Sequence, residues 1–141
     1  MTKNIIKFSL AAALFLGTWH PALAQVEIEE EVEVMEEKIF VIVDEDPEFP
    51  GGTEALYKYL SENIKYPQEA RDKGITGKVY VSFVIEKDGS VSRPRVLREI
   101  GGGCGDEAVR VVMGMPKWIP GKQRGKPVRV QFNLPISFNL Q

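Results

Sequence analysis

Histidine and cysteine are nearly missing: the 141 residues contain one of each, His20 and Cys104. A single thiol forms no internal disulfide. Zinc sites need clusters of cysteine, histidine or acids, and one cysteine among scattered carboxylates is no cluster. Nucleophilic catalysis by a hydroxyl or thiol needs a base within reach, most often histidine. Cys104 precedes an expected helix, whose N-terminus can stabilise a thiolate. No base stands ready for it, however, and a packing role at the end of a glycine loop fits better. Beyond the N-terminal two dozen residues, no segment approaches the roughly 20 apolar residues that a membrane-crossing helix needs. Neither a cofactor nor an enzymatic role is expected.

What is present begins with an export signal over residues 1–24. Lys3 and Lys7 stand in a stretch with no acid, Phe8–Gly17 is a short apolar run, and Ala22-Leu23-Ala24 offers small residues for cleavage before Gln25. His20 and Pro21 interrupt the apolar run at about half the length of a membrane span, so a cleaved signal is expected over an uncleaved anchor. Gln25 in the place of a cysteine argues against lipid attachment. The mature chain is then a soluble periplasmic protein without histidine, anchored to the inner membrane only if the signal is retained.

Charge is divided unevenly. Residues 25–49 carry eleven acids against Lys38 alone, a balance of −10, whereas residues 50–141 carry fifteen Lys and Arg against nine acids, a balance of +6. An acidic arm over 25–48 is therefore joined to a basic domain over 49–141. Gln25–Glu37 reads as a solvated leader, and Lys38–Val43 is apolar enough to be an extended segment packed on the domain.

From Phe49 onward the pattern is α+β. Phe49-Pro50-Gly51-Gly52 is a turn and Thr53 is placed to cap a helix over Glu54–Asn63, with Leu56, Tyr59, Leu60 and Ile64 on its apolar face. Pro67–Lys73 forms a short helix stopped by Gly74. Lys78–Glu86 alternates, with Val79, Val81, Phe83 and Ile85 on one face, and Lys87-Asp88-Gly89-Ser90 turns it into a second strand, Val91–Arg98. Pro94 puts that strand at an edge or a bulge. A glycine loop, Gly101–Gly105, leads to a helix at about Asp106–Met113, with Ala108, Val109, Val112 and Met113 inward. Pro120–Pro127 is a basic loop. Val128–Leu140 alternates throughout, and Pro135 within it argues for a free edge. The expected fold is two helices packed on a three-stranded antiparallel sheet.

Two glycine patterns fail as phosphate sites. Gly121-Lys122-Gln123-Arg124-Gly125-Lys126-Pro127 is one residue short of a P-loop and has proline in the place of Ser/Thr. In Gly101–Gly105 a dinucleotide fingerprint would put Asp106 at its last glycine, beside a pyrophosphate. Lys117, Trp118, Lys122, Arg124 and Lys126 combine charge with an aromatic, but export argues against a nucleic-acid partner, and Trp118 reads as a core or rim aromatic.

Phe49 to Phe138 resembles the C-terminal domain of TonB-family proteins, especially the Bacteroidota-type variant. The resemblance runs through Phe49-Pro50-Gly51-Gly52, Asn63-Ile64-Lys65-Tyr66-Pro67 and Gly74-Ile75-Thr76-Gly77-Lys78-Val79. It continues through Phe83-Val84-Ile85 with Asp88-Gly89, Met115-Pro116-Lys117-Trp118 with Pro120-Gly121, Gly125-Lys126-Pro127-Val128, and Pro135-Ile136 with Phe138. It implies an energy transducer that binds a short extended box peptide of an outer-membrane transporter as an added strand, driven by an inner-membrane proton motor. By the same resemblance, the partner-binding residues are Asn63, Ile64, Lys65, Tyr66 and Pro67 together with Val128, Arg129, Val130, Gln131, Phe132, Asn133 and Leu134. Ile64-Lys65 replaces the family's glutamine-proline. The family's transducers also have a retained anchor and a long spacer. With the signal cleaved and about 25 residues ahead of the domain, spanning at most roughly 80 Å, the alternative is a free periplasmic adaptor or decoy. The free edge would also permit a homodimer by strand exchange.

Overall fold

A computed structural model describes residues 37–140. The expected export signal, its cleavage point and the acidic leader through Glu36 lie outside the described residues. The elements, in chain order, are β1 (Ile39–Phe40), α1 (Gly52–Asn63), α2 (Gln68–Asp72), β2 (Gly77–Ile85), β3 (Val91–Arg98), α3 (Cys104–Met113), β4 (Lys122–Gln123), β5 (Lys126–Pro127) and β6 (Arg129–Phe138).

Alternation dictates the centre of the sheet. Val79, Val81, Phe83 and Ile85 of β2 are fully buried. Antiparallel pairing sets them opposite Ile136, Leu134, Phe132 and Val130 of β6, so two apolar faces merge into one and take the helices. Leu56 and Leu60 of α1 join that core, as do Ala108, Val111 and Val112 of α3. The sheet order is β1-β6-β2-β3. The expected antiparallel three-stranded sheet is thus present as β6-β2-β3, and β1 adds a short parallel strand outside β6.

Pro94 lies on the edge strand β3, where pairing with β2 slips between Ser82 and Val84 and Arg93 takes a φ of 51°. A bulge there accommodates a residue that has no N–H to donate.

Three details differ from expectation. Thr53 caps nothing: α1 begins at Gly52, after Gly51 at a φ of 90°, and the Gly52 N–H donates to the Phe49 carbonyl at 2.7 Å. Two glycines turn the chain by themselves, leaving no place for a side-chain cap. α3 starts at Cys104, two residues early, which moves its buried stripe to Cys104, Ala108, Val111 and Val112 and leaves Met113 47% exposed. The cause is Glu99, whose carboxylate accepts N–H bonds from Ile100, Gly101 and Gly105 at 3.1, 2.9 and 3.0 Å and so satisfies the helix start from outside it. Finally, the basic loop contains a small hairpin, β4 to β5, turned by Arg124 and Gly125 with φ of 56° and 76°, the geometry of a two-residue primed turn.

Candidate functional site

β6 has β2 along one side from Val130 to Phe138. On the other side β1 pairs only with Arg129 and Val130. From Gln131 to Phe138 no strand covers that side among the described residues.

The segment after β1 is lashed down. Glu45 and Lys122 exchange backbone hydrogen bonds at 3.0 and 2.9 Å, as do Glu48 and Ile119 at 2.9 and 2.8 Å. Asp44 donates its N–H to Gln123 Oε1 and accepts the Arg124 N–H on Oδ2, both at 2.9 Å. The acidic stretch therefore meets the basic one mainly through backbone groups. Between the lashing and β1, Val41 and Ile42 stand 73% and 84% exposed.

A groove of about 540 Å³ opens between this segment and β6. Val130–Asn133 form one wall, Asp46–Phe49 the other, Thr53 and Leu56 of α1 close the end, and Trp118 lies at the base. The Trp118 ring meets Phe132 at 5.1 Å, Phe49 at 5.5 Å and Phe83 at 6.0 Å between centroids. Its Nε1–H is buried without an acceptor.

The residues picked out from sequence divide into two places. Val128 is fully buried and its N–H donates to the Gly121 carbonyl at 3.0 Å. Arg129 and Val130 are paired with β1. Gln131, Phe132 and Asn133 line the groove, and Leu134 points into the core at 3% exposure. Asn63–Pro67 lies at the other end of β6. The Tyr66 ring packs edge-on against Phe138 at 5.7 Å, its hydroxyl donates to the Ile75 carbonyl, and the Arg71 guanidinium sits 5.2 Å from its centre. Asn63 gives its carbonyl to Arg110 at 2.8 Å, the Lys65 N–H donates to Glu107 at 2.7 Å, Ile64 is half-buried, and Pro67 opens α2. Val130 and Phe138 stand roughly 26 Å apart along an extended strand, so the two groups lie near opposite ends of β6. Asp46, Glu48, Phe49 and Trp118 were not singled out as site residues from the sequence. The one signal for them is the apolar run Lys38–Val43, which places the following residues on the domain.

Charge at the start of β6 is held by Glu86, which accepts Arg129 Nε at 2.7 Å and Nη2 at 3.2 Å. Hydrogen bonding from Arg129 holds the Glu86 carboxyl below its ordinary range, against burial, with a further bond from Ser92. The folded value lies below the unfolded one, so this stabilisation is present above the ordinary carboxylate range and is lost as pH falls through the folded value. Arg129→Gln is expected to move Glu86 titration back upward, read from its carboxyl carbon shift against pH. An unmoved midpoint would assign the depression to Ser92 and Arg93 instead.

Cys104 is fully buried, and burial, then the charge of Glu99, pushes its thiol upward. The helix start thus yields no thiolate. The native thiol is expected to resist alkylation at neutral pH and to react at the rate of unfolding; rapid labelling of the native protein would contradict this burial. Among the described residues, no group of three potential ligands could hold a metal ion.

Residues 62–140 match the family model described as Gram-negative bacterial TonB protein C-terminal. The chain belongs to this family. Two solved structures of the Helicobacter pylori TonB C-terminal domain are similar to it. One, of residues 194–285, is 26% identical over 62% of this chain and 91% of that one, with a TM-score of 0.48. The other, of residues 179–285, is 27% identical over 60% of this chain and 77% of that one, with a TM-score of 0.46. No curated protein matches the chain. The TonB C-terminal domain is a non-enzymatic energy-transducing and interaction domain, and its family interacts with outer-membrane transporters. Membership points to a periplasmic or membrane-anchored protein. Among the described residues no helix is long and apolar enough to cross a membrane.

Proposed function

We propose that this TonB-family domain binds an extended peptide of an outer-membrane transporter as an added strand on β6, within energy-dependent transport across that membrane. The observation that supports this reading is the side of β6 from Gln131 onward, which among the described residues has no partner strand and opens beside a groove. A row of unpaired backbone groups is a liability in solution and a ready template for an incoming strand. β1 already takes this edge in parallel at Arg129 and Val130, so an added strand either begins past Val130 or displaces Ile39–Phe40. Tyr66 lies at the far end, where the peptide would leave.

Amide hydrogen exchange on the full chain, with and without a transporter-derived peptide, tests the reading. In a strand, alternate N–H groups face one neighbour. Protection is therefore expected at every second amide of Gln131–Ser137, with Pro135 having none to give. Protection confined to Lys117–Lys126, with β6 unchanged, would place the site elsewhere.

A further inference from the structure

We propose that the groove beside β6 is a subsite for a basic side chain of the added peptide. This rests on the strand-addition reading and specifies which sequences the edge selects. The groove lining contains two carboxylates, Asp46 and Glu48, and no Lys or Arg. Neither carboxylate forms an ion pair among the described residues. That is unusual for its surroundings, because residues 50–141 carry a balance of +6. The negative rim is local, and it is held in place, since the Glu48 N–H and carbonyl are both bonded to Ile119.

Beneath the rim the surface changes character. Phe49, Leu56 and Trp118 offer apolar area, and Phe132 contributes a half-buried ring. A long aliphatic stem that ends in a cation fits both layers: methylenes cover the rings while the charge stays with the carboxylates at the mouth. A purely apolar side chain would strip water from two carboxylates and give nothing back. An acidic one would be repelled.

A second, independent observation points to an occupant. Trp118 is 4% exposed, lines the groove, and has its indole N–H without an acceptor. A buried donor without a partner is costly, and an extended peptide brings one carbonyl with every residue. Strand addition along Gln131–Asn133 brings such carbonyls beside the groove that Trp118 lines.

The test uses the full chain and two capped peptides of alternating valine and threonine, one with a central lysine, the other with a central norleucine. The lysine peptide is expected to bind roughly five- to tenfold more tightly, the size expected of two partly exposed ion pairs. The preference should shrink as salt is raised and fall to near parity in the Asp46→Asn, Glu48→Gln double variant. With both peptides the Trp118 indole N–H resonance should move. Equal affinity for the two peptides, with β6 amides protected, overturns the subsite and leaves strand addition standing. So does an unmoved indole. If neither peptide protects β6, strand addition itself fails, and the subsite with it.

Discussion

Gly89→Ala is expected to lower the stability of the domain by about 3 kcal/mol or more, seen as a fall in the urea midpoint at unchanged slope. Gly89 sits in the β2–β3 turn at a φ of 90°, which alone costs an L residue about 1–2 kcal/mol. The larger part comes from proximity. A Cβ there would lie 2.0 Å from the Trp118 carbonyl oxygen and 3.1 Å from the Trp118 N and C atoms, all of them backbone. Nothing at the end of a flexible side chain can step aside. The turn would have to retreat, losing the Trp118 N–H bond to the Gly89 carbonyl at 2.8 Å. With domains typically stable by about 5–15 kcal/mol, this is a large fraction. Gly125→Ala is the control: its φ is 76° with no atom within 4 Å of the added Cβ, and its cost should be about 1 kcal/mol. Equal losses at both positions would mean that the close approach to Trp118 contributes nothing.

Trp118→Ala should cost about 3–5 kcal/mol, the range for deleting a buried aromatic. It removes the ring that Phe49, Phe83 and Phe132 all touch. Trp118→Phe separates two contributions. It keeps much of the ring area and deletes an N–H that has no acceptor, so it should cost less than half as much. If Trp118→Phe proves as damaging as Trp118→Ala in denaturant titration, the indole N–H must be bonded in the folded protein.

Much of the architecture was legible because strand alternation and helix spacing are local. β2, β3 and β6 fall where periodicity puts them, and Pro94 marks an edge bulge because a missing N–H has one consequence wherever it occurs. The start of α3 was not legible, since it depends on Glu99 reaching past a glycine loop to bond Gly105. A Cβ at Gly105 would lie 1.9 Å from Glu99 Oε1, so the glycine there makes room for the carboxylate. β1 is two residues long, too short to carry a period. Its apolar neighbours suggest that it packs, but not on which strand. The groove was the least legible feature. Its walls come from Asp46–Phe49, α1, Trp118 and Val130–Asn133, and no pattern along the chain announces that four distant stretches share one hollow. The edge itself was readable from Pro135; its occupation at Arg129 and Val130 required the fold.

The pairing of β2 with β6 has a consequence for how the chain acquires its structure. It joins Ile85 to Val130 and Gly77 to Phe138, partners 45 and 61 positions apart. Nearly all of the buried face of β2 waits on β6 for its partner. Closing so large a loop is entropically expensive before any contact repays it, and topologies of this kind fold slowly. A chain released N-terminus first therefore has three helices and the β2–β3 hairpin to form early, and no complete core to hold them until β6 arrives. Removal of residues 134–141 is expected to leave not a smaller domain but an unfolded, protease-sensitive chain, read by limited proteolysis.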